Sequence, residues 1–437
     1  MTAEPLASES LSMLRQLGSP PDLAAAARKL RIEPAWPLAN AHVHLPPNFS
    51  AFDRVEQAVD LAAEQGLAVL GASNYYDFAA YQPFTRRARQ RGIFPLWGLE
   101  ILALLPAEAA AGVKINDPTN PGRMYICGKG ITRWEKPTAR AAELMGRIRQ
   151  GDNRRMAEMT GRLANYFADR GIETGLDGAA IVAQVAARHG CDPQTVVLQE
   201  RHVARAFQEA LFERVRLDER AAAMEKLFGR PAASDDDDAA AVQAEIRTRL
   251  MKARRSCFVE EQFVSLDEAL ELIAELGGLA CYPVLADGAD PICPWEEDAA
   301  RLAESLERLG IPMAEFIPPR NDPAVLERYV RAIRQAGIAV VAGTEHNALG
   351  LTPMAPACRG GAAIPAAVGE IFAEGAAVVA AHQFLAAWDT GWKACATNTG
   401  WKACATKAPA TSIAERAALG RAVIARYRQE HEGSGRE

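Results

Sequence analysis

Short apolar runs at residues 38–43, 67–72, 94–99, 279–283, 313–317, 338–343 and 376–381 alternate with amphipathic stretches near 53–65, 82–91, 266–276, 296–309, 323–336 and 363–374. Continuous apolar runs of this length predict strands buried on both faces, and the 3.6-residue spacing between them predicts covering helices. Gly66, Gly92, Gly277, Gly310, Gly337 and Gly375 each fall where a helix should stop before the next strand, a position that favours a residue free to adopt φ > 0. The repeated helix–Gly–strand punctuation predicts an α/β fold, a parallel sheet wrapped by helices.

Three segments break the alternation. Residues 1–35 read as a helical N-terminal extension. Residues 136–262 are polar, helical and almost strandless, with breaks at Gly171, Gly190 and Pro231. They read as an insertion dividing a barrel into 36–135 and 263–388. Within the insertion, Asp235 to Asp238 reads as a solvated loop leading into a helix. Residues 389–437 form a C-terminal loop and terminal helix, with TGWKACAT at Thr390–Thr397 repeated at Thr399–Thr406. Two copies cannot build a solenoid, so a local duplication in a surface loop is expected.

Composition narrows the function classes. The 437 residues are 49% hydrophobic and 24% charged, an ordinary globular balance. Lys plus Arg is 49 against 55 acids, a net charge of −6. That argues against nucleic-acid binding through bulk positive charge. The most apolar region, 360–388, is interrupted by Glu370, Glu374 and His382, so no membrane span is expected. The N-terminus lacks a basic and apolar leader pattern, and the eight cysteines include no Cys-x-x-Cys pair. Both observations lead to the expectation of a cytoplasmic protein with reduced thiols.

The chemistry-bearing residues cluster at predicted strand ends. They are His42 and His44, then Ser73 through Asp77, then Glu100, then Cys281 and Tyr282, then Arg320 and Asn321, then Glu345 and His346, and finally His382. In a parallel barrel the C-terminal strand ends open onto one face, so these groups should converge. His42 and His44, two apart in a strand, project from one side. Two imidazoles with the Glu100 carboxylate suit Zn²⁺ or another borderline divalent ion, Mn or Fe included. Glu345 and His346 are adjacent and face opposite ways, so both reach one site only if the chain bends, which Gly343 favours. Residues 112–130 read as a polar loop whose Arg123 and Lys129 suit an anion. Arg320, with Asn321 beside it, is the better bidentate clamp.

The segments Asn40-Ala41-His42-Val43-His44, Gly98-Leu99-Glu100 and Gly343-Thr344-Glu345-His346-Asn347 resemble motifs of the PHP (polymerase and histidinol phosphatase) superfamily. The resemblance covers about 36–130 and 265–385. It implies a distorted parallel (β/α)7 TIM-like barrel with a helical insertion, holding a metal cluster that hydrolyses phosphoesters. The chain departs from the family at three motifs. It has Ser73-Asn74-Tyr75 for Thr-Asp-His, Cys281-Tyr282-Pro283 for Ala-His-Pro, and Glu345-His346-Asn347 for Asp-x-His. That set supports one or two ions, held by His42, His44 and Glu100 with Glu345 or His346; His202 and His382 are candidate replacements.

The leading expectation is therefore a metal-dependent hydrolase acting on a small anionic substrate, a phosphate ester or sugar acid. A metal-activated water would be its nucleophile, with Asp77 or Glu345 moving protons. The alternatives are a metal-assisted lyase or isomerase of sugar acids, with Tyr75, Tyr76 or Tyr282 moving the proton, and a ligand-binding barrel that has lost its metal.

Overall fold

A computed structural model describes residues 8–29, 37–348, 350–388 and 412–434. Both copies of the TGWKACAT repeat lie outside the described residues. Two helices, α1 (Glu9–Gln16) and α2 (Pro20–Lys29), precede β1 (Ala39–Val43), α3 (Val55–Glu64), β2 (Val69–Ala72), α4 (Tyr81–Gln90) and β3 (Phe94–Leu104). There follow α5 (Pro106–Ala110), β4 (Arg123–Lys129) and five helices: α6 (Ala139–Ala168), α7 (Gly178–His189), α8 (Glu200–Arg214), α9 (Leu217–Phe228) and α10 (Ala239–Ile246). The chain continues through β5 (Val264–Ser265), α11 (Leu266–Glu275), β6 (Leu279–Val284), α12 (Ala299–Arg308), β7 (Met313–Phe316), α13 (Pro323–Gln335) and β8 (Ala339–Ala342). It ends in α14 (Ala366–Trp388) and α15 (Ile413–Ser434).

Seven strands in the order β1-β2-β3-β4-β6-β7-β8 form a nearly closed, TIM-like barrel. A bridge between Val43 and Glu345 brings the segment after β8 back to β1, and the His44 amide donates to the Glu345 carbonyl at 2.8 Å. Every residue of β2 and β8 is buried, as expected for strands covered on both faces. Five of the six predicted stop glycines, Gly66, Gly92, Gly277, Gly310 and Gly337, have φ between 66° and 81°.

Two predicted elements are corrected. The run 376–381 is not a strand but the middle of α14. Alanine favours helix over strand, and period alone does not separate a buried helix from a buried strand. Gly375 is not a stop either. It lies inside α14, where a Cβ would collide with the Val340 carbonyl, so it allows the helix to press onto β8.

The second correction concerns residues 123–129, which were expected to lie in a loop. They form β4, antiparallel to both β3 and β6, in a sheet otherwise built from parallel pairs. Arg123, Tyr125, Cys127 and Lys129 face the barrel interior or its cleft. On the other face, Gly128 lies against Ile273 of α11. The strand alternates with period two, but its polar side points inward.

The described part of the insertion has its own apolar core. Met159, Leu163, Phe167, Ile181, Phe207, Leu211, Met224, Leu227 and Ile246 pack together, with the Phe167 and Phe207 rings 5.0 Å apart. The 30-residue α6 joins the two cores. Its Ala141 and Leu144 belong to the barrel core, while its later turns belong to the insertion.

Candidate metal centre and substrate cleft

His42 and His44 enter the barrel from one face of β1 and its continuation, and both are buried. Their Nε2 atoms lie 3.3 Å apart. Glu100 reaches them from β3, with Oε2 3.0 Å from His44 Nε2 and 3.4 Å from His42 Nε2. Tetrahedral donors at 2.0–2.1 Å from an ion are roughly 3.3–3.4 Å apart, so the three atoms fit one divalent ion. Glu100 Oε2 is buried without a hydrogen bond of good geometry. A carboxylate oxygen facing two imidazole nitrogens in this way suits shared coordination better than hydrogen bonding. His44 stacks on Tyr75, with ring centroids 5.2 Å apart.

The far side of His42 is held from β7 and β4. Its Nδ1 lies 2.9 Å from Glu315 Oε1, which also accepts from the Cys127 thiol at 3.0 Å. The other Glu315 oxygen pairs with Lys129 Nζ at 2.6 Å. Lys129 also donates to the Ala41 carbonyl at 3.1 Å and to Ser73 Oγ at 3.2 Å. Burial alone would depress His42, but the Glu315 charge, together with Glu100, outweighs it and lifts the imidazole to about 9. Burial would raise Glu315, yet His42 and Lys129 bring it down to about 2. Burial likewise opposes ionisation of Glu100, and the two histidines hold it well below the carboxylate range.

Above this floor opens a cleft of about 540 Å³ between the barrel mouth and the helical insertion. The barrel contributes Tyr75, Arg123, Tyr125, Arg320 and Glu345, and the insertion contributes Asp152, Arg155, Glu200, Arg201, Arg247 and Lys252. Arg320 pairs with Glu345 at 2.7 Å, and Arg123 pairs with Glu261 at 3.3 Å. The strand ends therefore bring His42, His44, Glu100, Arg320, Arg123 and Glu345 to one region.

Five expected site residues lie elsewhere. His346 stacks on Phe52; its Nδ1 contacts Thr344 Oγ1 at 2.7 Å and its Nε2 the Thr352 carbonyl at 3.0 Å. Both ring nitrogens are thus engaged. The expected bend occurs, but at Glu345 and His346 themselves, with φ of 62° and 52°. It turns Glu345 into the cleft and His346 away. At Gly343 the missing Cβ instead leaves room for His42.

Asp77 lines a separate cavity with Glu9, Gln82 and Trp134, caps the Ala79 amide and pairs with Arg149 at 3.1 Å. Tyr282 points out of the barrel, because its neighbour Cys281 takes the inward position of β6; its hydroxyl donates to Glu296 at 2.8 Å. Asn321 is structural, donating to the Leu285 carbonyl and Asp287 Oδ1 at 2.9 Å each. Lys129 lies beneath the histidines rather than in an anion-binding loop. Of the candidate replacements, His202 accepts from the Gln199 amide at 3.1 Å and His382 lies in α14, 2.8 Å from the Gly277 carbonyl.

Sequence reasoning missed Glu315, Tyr125 and every cleft residue of the insertion. For Tyr125 the period-two alternation of 123–129 was an available signal. For Arg201 and Arg247, in a helical block far along the chain, none was.

No protein-family model and no curated protein sequence matches the chain. Among solved structures it is similar to a Bifidobacterium adolescentis protein inferred to be a metal-dependent phosphoesterase. The TM-score is 0.50 at 16% identity, covering 78% of this chain and 96% of that one. An amidohydrolase from Chromobacterium violaceum, solved with sulfate and no metal, gives a TM-score of 0.47 at 17% identity, covering 74% and 93%. At such identity the likeness to the first is one of fold.

Proposed function

We propose that the chain is a PHP-like, metal-dependent hydrolase of the phosphoesterase type acting on a small anionic substrate. The observation that carries this reading is the convergence of His42 Nε2, His44 Nε2 and Glu100 Oε2 within 3.4 Å of one another on the floor of an arginine-rimmed cleft. A divalent ion bound there supplies Lewis-acid polarisation and lowers the pKa of water. Two nitrogens and one oxygen favour Zn²⁺, with Mn or Fe as alternatives.

Glu315 accepts the His42 Nδ1 proton and so leaves Nε2 facing the cleft, an outer contact that fixes ring tautomer and orientation. Glu345 orients Arg320, whose planar fork suits phosphoryl oxygens. Glu345 rather than Asp77 is the carboxylate placed to move a proton at the mouth. Tyr75, partly buried beside Glu100, is held well above its ordinary range by desolvation and by the Glu100 charge, and stays a neutral donor.

A second donor group, His42, Cys127 and Glu315, supports only the single-ion form of the reading, because Lys129 Nζ already sits 2.6 Å from Glu315. An ammonium there supplies the positive charge that a second ion would bring.

The test is elemental analysis of purified protein, followed by turnover of phosphomonoesters and phosphodiesters. About one divalent ion per chain is expected, lost in His42→Ala/His44→Ala together with activity. Full metal content in that double variant, or turnover unaffected by its loss, would overturn the reading.

A further inference from the structure

The helical insertion presents cations to the cleft that the barrel chemistry does not use. Glu200 already serves three of them: Lys252 at 2.6 Å, Arg155 at 2.8 Å and Arg247 at 3.6 Å. Arg247 is the most weakly paired, and its Nε is buried without a hydrogen-bond partner. Arg201 has no ion pair or hydrogen bond among the described residues; its guanidinium stands 5.9 Å over the Phe49 ring. Burial and the like charge of Arg247 both push Arg201 down from its ordinary value. The opposing charge felt by Arg201 comes from Glu345 at the barrel mouth, since the nearby phenols of Tyr75 and Tyr125 are held neutral. Two neighbouring guanidiniums, one without a counter-ion and one sharing a carboxylate with two other cations, leave positive charge uncompensated in a partly desolvated cleft. Such an arrangement is costly in the free protein and is relieved by an anion.

The backbone points the same way. Arg247 opens a π-helical turn, Arg247–Met251, directly after α10. Such widened turns are rare and recur at functional sites.

We infer that Arg201 and Arg247 form a seat for a phosphate dianion, separate from the scissile group held over His42, His44 and Glu100. As a statement about substrate this rests on the hydrolase reading, and it makes the substrate class a phosphoester bearing a second, terminal phosphate. Two guanidiniums match the charge of a phosphate dianion, and their forks match its oxygens. A carboxylate would satisfy only half of that charge.

The seat is tested without turnover, by calorimetric titration of the metal-free full chain with inorganic phosphate at pH 8 and, in parallel, with acetate. Wild type is expected to bind phosphate and to bind acetate roughly tenfold more weakly or worse. Arg201→Gln and Arg247→Gln should each weaken phosphate roughly tenfold or more, with the circular-dichroism spectrum retained. Zinc affinity, read by chelator competition, should be unchanged in both. Because zinc binding is measured separately, loss of the metal site and loss of the phosphate seat are distinguishable. Absence of phosphate binding by folded wild type, equal affinity in the folded Arg201→Gln/Arg247→Gln variant, or acetate binding as tightly as phosphate would overturn the proposal.

Discussion

At the residue scale, His42 joins two sets of partners. Its Nε2 faces His44 and Glu100, while its Nδ1 proton goes to Glu315. In the metal-free protein the imidazole is lifted from 6.5 to about 9, so an ion arriving at neutral pH must displace a proton. Apparent zinc affinity should therefore rise about tenfold per pH unit between roughly 7 and 9 and then level off. In Glu315→Gln the carboxylate that lifts His42 is gone, so the levelling should move to lower pH and the plateau affinity should fall about 10–100-fold. Chelator competition across that pH range checks both, and a flat profile in wild type would remove Glu315 from this role. The linked stability has the opposite slope. A raised folded-state value stabilises the metal-free protein fully below 6.5, and that contribution is lost as pH rises through 9. The His-x-His pair and Glu100 were legible because same-face spacing in a strand is a local property. Glu315 was not, since a lone acid inside an apolar strand carries no signal until the strand opposite is known.

At the element scale, legibility followed pattern polarity. Strands buried on both faces announce themselves as apolar runs. β4 was hidden because its inward face carries Arg123, Tyr125, Cys127 and Lys129, so its alternation looked like a polar loop. The opposite error gave a strand at 376–381, where α14 is apolar all round because it is buried rather than amphipathic. By length and composition α14 would cross a membrane, with mean hydropathy 1.3, but 67% of that window is buried within the protein. Its closest approaches depend on two glycines. A Cβ at Gly375 would meet the Val340 carbonyl, and one at Gly420 of α15 would meet the Ala377 carbonyl. Backbone cannot move aside as a flexible side chain can. Gly375→Ala and Gly420→Ala should therefore each destabilise by about 1–3 kcal/mol, although alanine is the better helix former by about 1 kcal/mol. At Gly146 and Gly369 a Cβ would meet open space, so Gly146→Ala should leave denaturant midpoints unchanged or raise them. Equal midpoints for Gly375→Ala and Gly146→Ala would show that the close packing is not what selects glycine.

At the scale of the whole molecule, the net charge of −6 gave no hint of the arginine cluster, because a sum over the chain does not say which cations the fold gathers at one cleft. The cleft exists only where two separately packed cores meet. The barrel core carries the metal floor, and the insertion core carries Arg201 and Arg247. This arrangement makes the two halves of the site separable by a mutation far from both. Phe207 is fully buried in the insertion core, against Phe167. Truncating it to alanine removes about 3–5 kcal/mol from whatever unit that core stabilises. If the insertion is that unit, Phe207→Ala should lower phosphate affinity, since the seat is then partly unfolded, while zinc affinity stays within about twofold of wild type. The matching change in the barrel, Phe316→Ala beside Glu315, should do the reverse and weaken zinc first. Thermal unfolding followed by circular dichroism, with both ligand titrations on each variant, decides the matter. Phe207→Ala losing zinc and phosphate in parallel would mean that α6 couples the two cores into one cooperative unit, and that the seat and the floor cannot be varied independently.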